Sequence, residues 1–304
     1  MKQRALPGLD GPISPVALGF EFFPDLASAA PLLDAFYAAG GNLFDTAYVY
    51  GKGVTEALFG DWLSSRGVRE ECVVIGKGAH TPHCYPDALG RQLTESLDRL
   101  KTDHVDVYLM HRDNPDVPVG EFVDAMDAEM EAGRISGPFG GSNWTMARLD
   151  EAIAYAEANG RRRPGALSNN FALAEMLDPI WAGCVSASGA EWRAWLAERQ
   201  IPNFAWSSQA RGFFTDRAGR DKRDDAELVR VWYSEENFAR RDRAVELAGK
   251  RGRSPIHIAL AHVLAQPFPV VPLIGPRTLG ELADSLSALD IALTPSEVAW
   301  LEGG

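Results

Sequence analysis

Short apolar runs, each ending on a polar or ionisable residue, recur along this chain at a nearly constant interval, and an amphipathic segment follows each. Leu43-Phe44 runs into Asp45, Val73-Val74-Ile75-Gly76 into Lys77, Val105 to Met110 into His111, and a Gly-rich run from Gly137 into Ser142. The intervals between those ends are 32, 34 and 31 residues. One buried strand and one helix fill such a length, and neighbouring parallel strands require a helical crossover of this kind. No self-similarity of sequence accompanies the spacing, so it marks repeated strand–helix units rather than a solenoid.

Carried through the chain, the pattern predicts strands at 16–20, 42–45, 73–77, 105–111, 137–142, 165–169, 203–207 and 270–274. It predicts helices at 28–39, 54–65, 86–100, 118–133, 145–159, 191–199 and 278–289, with a short one from Pro295. Gly40, Gly67 and Gly133 close helices, and Pro118 suits a first turn. The rhythm breaks between the seventh and eighth strands, where a long loop over 211–225 and two extra helices at 235–250 and 255–265 intervene. The residues before 16 read as a short hairpin-like lead-in. Eight strands alternating with helices imply an α/β chain, a (β/α)8 TIM barrel. No linker interrupts it, so 1–304 is expected to be a single domain.

In such a barrel the C-terminal strand ends form the functional face. Asp45, Lys77 and His111 are therefore expected at one rim, with Tyr50 in a Gly-flanked loop just beyond Asp45. Singly, each has an ordinary reading: a strand-end Asp forms turns, a Lys snorkels, a His sits satisfied in a core. Together they follow apolar runs on adjacent strands, where an ionisable group is costly unless paired. Lys77 paired with Asp45 would hold a cation beside Tyr50 and is expected to lower the phenol's pKa toward working pH. Tyr50 would then give a proton to a developing alkoxide, and His111 would orient and polarise the same oxygen. A proton donor without a nucleophile suits carbonyl reduction. No side chain supplies a hydride, so a nicotinamide cofactor is implied. No GxGxxG follows an early strand, which excludes a Rossmann-type grip.

Charge and cysteine usage narrow the remaining classes. A formal net charge of −12 with no offsetting basic cluster argues against a nucleic-acid partner. Arg161-Arg162-Arg163 runs into Pro164 and reads as a solvated connection. No apolar stretch reaches the length of a membrane span, and nothing signal-like follows Met1. Three well-separated cysteines make no disulfide framework and point to a reducing cytoplasm. His80, His83 and Cys84 cluster without a standard zinc spacing, so no metal is expected.

These motifs strongly resemble those of the aldo-keto reductases over essentially the whole chain. Asp45 and Tyr50 in FDTAYVYG, Lys77 in VVIGKG and His111 in VDVYLMHRDNP match that family's catalytic tetrad one for one. The resemblance implies NADP(H), with NAD(H) as the alternative, held outside any Rossmann motif. GGSNW implies that Ser142 and Asn143 hold the nicotinamide carboxamide. FAWSSQARGFF implies Trp206 stacked on the nicotinamide and Ser207, Gln209 and Arg211 on the pyrophosphate. LIGPRT, with Gly275 and Arg277, and the helix after it, with Glu281 and Ser285, resemble the adenosine-phosphate segment.

The chain also departs from the family's pattern. Ser168 stands where the family usually has a Gln on strand six, so Asn169 or a water would substitute for its reach. Glu281 stands where many NADPH-dependent members carry Arg, and it would repel a 2′-phosphate or accept from a ribose hydroxyl, whereas Arg277 favours phosphate. Phe22, Phe23, His83, Arg112 and Trp144 are expected to line the substrate site, in a chain whose substrate is a small carbonyl compound or alcohol, either ring-faced or sugar-like. A cofactor-sensing regulatory protein of the same fold is the alternative, and a different barrel enzyme, a hydrolase or isomerase using Asp45 and His111, fits Lys77 and Tyr50 poorly. Oligomeric state is not legible in the sequence.

Overall fold

The computed structural model describes residues Met1–Gly303. Eight parallel strands close into one barrel in sequence order. They are β1 (Ala17–Gly19), β2 (Leu43–Asp45), β3 (Val73–Gly78), β4 (Val107–Met110), β5 (Phe139–Ser142), β6 (Ala166–Ser168), β7 (Asn203–Ala205) and β8 (Val270–Ile274). The helices among the described residues are α1 (Leu26–Ala38), α2 (Val54–Arg66), α3 (Pro86–Leu100), α4 (Val119–Glu131), α5 (Met146–Asn159) and α6 (Ala190–Arg199). They continue with α7 (Ala226–Trp232), α8 (Glu235–Arg251), α9 (Pro255–Leu264), α10 (Leu279–Ser287) and α11 (Pro295–Glu302). None is long and apolar enough to cross a membrane.

The expected elements are present; most strands are shorter than the apolar runs because the run ends continue as loops, while β3 runs on to Gly78 and β8 spans its whole run. Helix ends follow their local signals. Asp25 caps α1 by accepting from Ser28 N at 2.9 Å, and Thr145, Ser234 and Thr294 cap α5, α8 and α11. Gly67, Gly160 and Gly252 take the left-handed conformation that ends α2, α5 and α8. The lead-in is a small antiparallel bridge between Arg4 and Ile13. The sequence reading missed α7, which it left in the long loop. That helix is only two turns, and its buried Leu228, Val231 and Trp232 are hidden behind the charged run before Asp225, its cap.

By contacts the chain divides into two compact units. The first comprises Met1–Ser168 with Gly275–Leu279. Its core includes Phe20, Phe36, Phe44, Phe59 and Trp62, with Phe59 and Trp62 stacked 5.7 Å apart. The strand register there aligns Ile75 with Val107 and Gly140 with Ala166. Gly140 is required by proximity, since a Cβ would fall 1.8 Å from the Ala166 carbonyl oxygen. The second comprises Asn169–Ile274 and the residues from Gly280 onward, around Phe213, Phe214, Trp232 and Phe238.

Candidate active site

Asp45, Tyr50, Lys77 and His111 meet in the first unit. Asp45 ends β2, Lys77 lies near the end of β3, and His111 follows β4, its N–H donating to Gly78 O at 2.6 Å. The chain leaving β2 keeps running along β3, with Thr46 N donating to Ile75 O and Tyr48 N to Lys77 O, each at 2.9 Å. It then reverses. Tyr50 N donates to Ala47 O at 3.0 Å, and Gly51, Lys52 and Gly53 all have left-handed φ of 55°, 56° and 93°. That reversal brings Tyr50 back over Lys77.

Lys77 Nζ is the hub. It donates to Asp45 Oδ1 at 2.5 Å, to Thr46 O at 3.1 Å and to Tyr50 Oη at 3.4 Å. The Tyr50 and His111 rings stand edge-on, 5.5 Å apart at 80°, and His80 packs edge-on against His111 at 4.9 Å. The lysine and aspartate side chains are only 3% and 4% exposed. At that burial the pair is held by mutual need, because either charge alone would be stranded.

The electrostatics correct one expectation. The Tyr50 phenol is held well above its ordinary pKa, first by burial and then by the negative charges of Asp45 and Glu21, against which Arg112 pulls only weakly. The expected lowering by a nearby cation is therefore absent in the chain by itself. A phenol so held stays protonated, which is the form a proton donor needs. His111 is pushed well below its ordinary value by burial and by the cations Lys77 and Arg112, so it is a neutral hydrogen-bonding group, its buried Nδ1 without a hydrogen-bond partner. Burial also raises the Asp45 carboxyl, and Lys77 opposes it.

The folded pKa of His111 lies below the ordinary 6.5, so the unfolded chain binds the extra proton. Stability should be fully present above 6.5 and fall as the pH drops through and below it, with a slope of at most about 1.4 kcal/mol per pH unit from this residue. Thermal melts from neutral pH down to about pH 5 should show that loss, and His111→Gln should flatten it. An unchanged slope in the variant would mean that His111 does not titrate on unfolding. Buried His262 in the second unit is also lowered and adds to the same trend.

The residues expected at the cofactor fall into two sets. In the first unit, Ser142 Oγ donates to Ser168 O at 2.9 Å, Asn143 N donates to the same oxygen at 3.1 Å, and Asn143 Nδ2 reaches Ser142 Oγ at 3.0 Å. Asn143 takes a left-handed φ of 62°, which turns its side chain back beside Ser142. Gly275 and Arg277 also belong to this unit, and the Arg277 guanidinium stacks 4.3 Å over the exposed Phe22 ring. In the second unit Asn169 N donates to Asn203 Oδ1 at 3.0 Å, and Trp206, half-buried, has an indole N–H with no partner. The loop after it is strained, with Ser207, Ala210 and Arg211 at φ of 48°, 48° and 51°, a cluster that needs external reason in non-glycine residues. Arg211 Nε pairs with Glu227 at 2.5 Å, Gln209 O accepts from Gly212 N, Glu281 is exposed and Ser285 is buried.

Among the residues expected to line a substrate site, Phe22 and His83 are exposed and Phe23 is half-buried. Arg112 is 8% exposed and donates to His111 O at 2.9 Å. Trp144 is 2% exposed, packed over Gly141, where a Cβ would sit 2.3 Å from its indole, and beside the Arg148 guanidinium. Trp144 is thus a wall of the β5 end more than an open surface. Glu21 and His80 also neighbour these four residues, Glu21 through its charge on Tyr50 and His80 through its ring against His111; His80 follows β3 by two residues.

The Aldo/keto reductase family model matches residues 21–303. The "Uncharacterized oxidoreductase YrpG" of Bacillus subtilis is 29% identical over 91% of this chain and 86% of its own. Two solved structures share the fold. One is the thermostable aldo-keto reductase Tm1743 with the inhibitor epalrestat, TM-score 0.78 at 24% identity over 99% of both chains. The other is the aldo-keto reductase from Klebsiella pneumoniae with NADPH, TM-score 0.74 at 22% identity over 99% of this chain and 95% of that one. The residues that meet at Lys77 lie inside the matched span, and the chain belongs to the aldo/keto reductase family.

Proposed function

We propose that this chain is an NADP(H)-dependent reductase of aldehydes or ketones, with Tyr50 as the proton donor, working as one cytoplasmic domain on small molecules. The observation that carries the reading is the Lys77 hub, which joins Asp45, Thr46 O and Tyr50 Oη beside a neutral His111. The cofactor would supply a hydride to the carbonyl carbon. The residues present fit such a cofactor. Ser142 and Asn143 offer the donors and acceptors that a carboxamide needs, Trp206 offers a flat face and an unpartnered N–H, and Arg277 offers a cation beside an exposed ring. NADPH in the Klebsiella pneumoniae structure supports the choice of cofactor.

The chain's own part is to manage the carbonyl oxygen. Neutral His111 orients it by hydrogen bonding, and Tyr50 passes its phenolic proton to it as negative charge develops there. The lysine ammonium, 3.4 Å from Tyr50 Oη, stabilises the phenolate left behind, and Asp45 holds that ammonium in place. The nearby cation therefore acts after proton transfer rather than before it. Consumption of NADPH with a panel of aldehydes and ketones tests the reading. Binding of NADPH without turnover on any member would favour a sensing role instead.

Cofactor choice makes a separate prediction. A guanidinium bonded to a 2′-phosphate contributes about 1.5–3 kcal/mol, while the carboxylate of Glu281 would oppose that phosphate. Arg277→Ala is expected to cut the NADPH-over-NADH preference in kcat/KM about tenfold, the lower end of that range. Glu281→Arg is expected to raise it. A ratio unmoved by Arg277→Ala would remove Arg277 from the 2′-phosphate.

A further inference from the structure

Arg99 lies on α3, away from the four residues at the Lys77 hub, yet its guanidinium meets the loop that delivers Tyr50 at two points. It stacks 4.6 Å over the Tyr48 ring and donates to Tyr48 O at 3.3 Å, two residues before Tyr50. It also lies so close to Gly53, three residues after Tyr50, that a Cβ there would come within 2.8 Å of it. The same fork is anchored from both sides. Its Nη1 reaches Glu56 Oε2 on α2 at 3.1 Å and its Nη2 reaches Glu95 Oε2 at 3.2 Å, while Tyr48 Oη closes the ring by donating to Glu95 at 2.8 Å.

An exposed ion pair would be worth little, but Glu56 is 0% exposed, so its carboxylate depends on Arg99. A planar fork with several donors and a stacking face does all of this at once, and an ammonium does not. The segment it grips has three successive left-handed residues, of which Lys52, the one non-glycine, adopts that conformation at a cost its surroundings must offset. Tyr50 Oη meets Lys77 at 3.4 Å, and its ring lies against the ammonium and His111, contacts that leave the loop's two ends a share in setting its position.

We propose that Arg99 is a positioning residue for Tyr50, clamping the loop at Tyr48 and Gly53 so that the phenol stands over Lys77; the inference rests on the reductase reading given above. Misplacing a reacting group by a fraction of an ångström lowers the rate without touching binding elsewhere.

The test uses Arg99→Lys, which keeps a cation for Glu56 and loses the fork and the stack, with Tyr48→Leu as a second variant that strands no buried charge. Two properties of the full chain are read: amide hydrogen exchange over 46–54, and kcat with its primary isotope effect using NADPH deuterated at the transferred position. Faster exchange confined to that segment is expected, with kcat down about tenfold, NADPH affinity within about twofold of wild type, and a larger isotope effect as chemistry becomes slower. A purely stabilising role would lower the melting temperature and leave kcat and the isotope effect unchanged, which would overturn the proposal. Unchanged exchange over 46–54 in both variants would overturn it as well. The exchange measurement needs no turnover, so an inert wild-type chain would sink the reductase reading separately from the clamp.

Discussion

Tyr50→Phe is expected to cut carbonyl reduction by at least about 10²-fold, the usual contribution of a positioned general acid, and to leave NADPH binding intact. The substitution removes one oxygen, whose only contact with the hub is the 3.4 Å approach from Lys77 Nζ. The ring keeps its edge-on packing against His111 and its place under the Lys77 ammonium, so the fold has little reason to change. Steady-state rates and a fluorescence titration with NADPH check both halves. Near-wild-type turnover would remove Tyr50 from proton donation and pass that role to His111 or water.

Lys77→Met is expected to have the larger effect on stability. Asp45 would be left buried without its 2.5 Å partner, and breaking a buried pair from one side costs about 3–5 kcal/mol. Burial already raises the Asp45 carboxyl, and removing the opposing cation raises it further. A folded pKa above the unfolded value means that stability is kept below the ordinary 3.8 and lost as pH rises through the folded value. The deficit relative to wild type should therefore be smallest in acid and grow toward neutral pH. Adding Asp45→Asn should recover most of the stability and none of the activity, since no cation then faces Tyr50. Denaturant melts of the single and double variants decide it. A single variant as stable as wild type at neutral pH would mean that water reaches Asp45.

The barrel and the meeting of Asp45, Tyr50, Lys77 and His111 were legible because their signals are local. An apolar run that stops at Asp45, Lys77 or His111 places that residue at a strand end whatever the rest of the chain does. Tyr50 was found by its Gly-flanked loop, though the reversal over Lys77 depends on three left-handed residues that no periodicity announces. The phenol's electrostatics were misread for a related reason. A nearby cation could be inferred from residue order, but burial and the added charge of Glu21, distant in sequence, outweigh it. Trp144 looked like a lining residue beside GGSN, yet Gly141 leaves a bare surface that the indole covers. The Arg99 clamp was not legible at all, since Arg99 sits in a polar-looking stretch of α3 and Glu56 in an unremarkable first turn of α2. Only their convergence on Tyr48 and Gly53 gives them meaning.

The most direct measurement follows the hydride and the proton together. Wild-type protein and Tyr50→Phe are each given NADPH deuterated at the transferred position and a reducible aldehyde, and the alcohol is analysed by mass. The account predicts one deuterium at the former carbonyl carbon in the wild-type product, and at least about 10² less of that alcohol per unit time from Tyr50→Phe at saturating cofactor. Alcohol without the label, or labelled alcohol formed equally fast by both proteins, would contradict it.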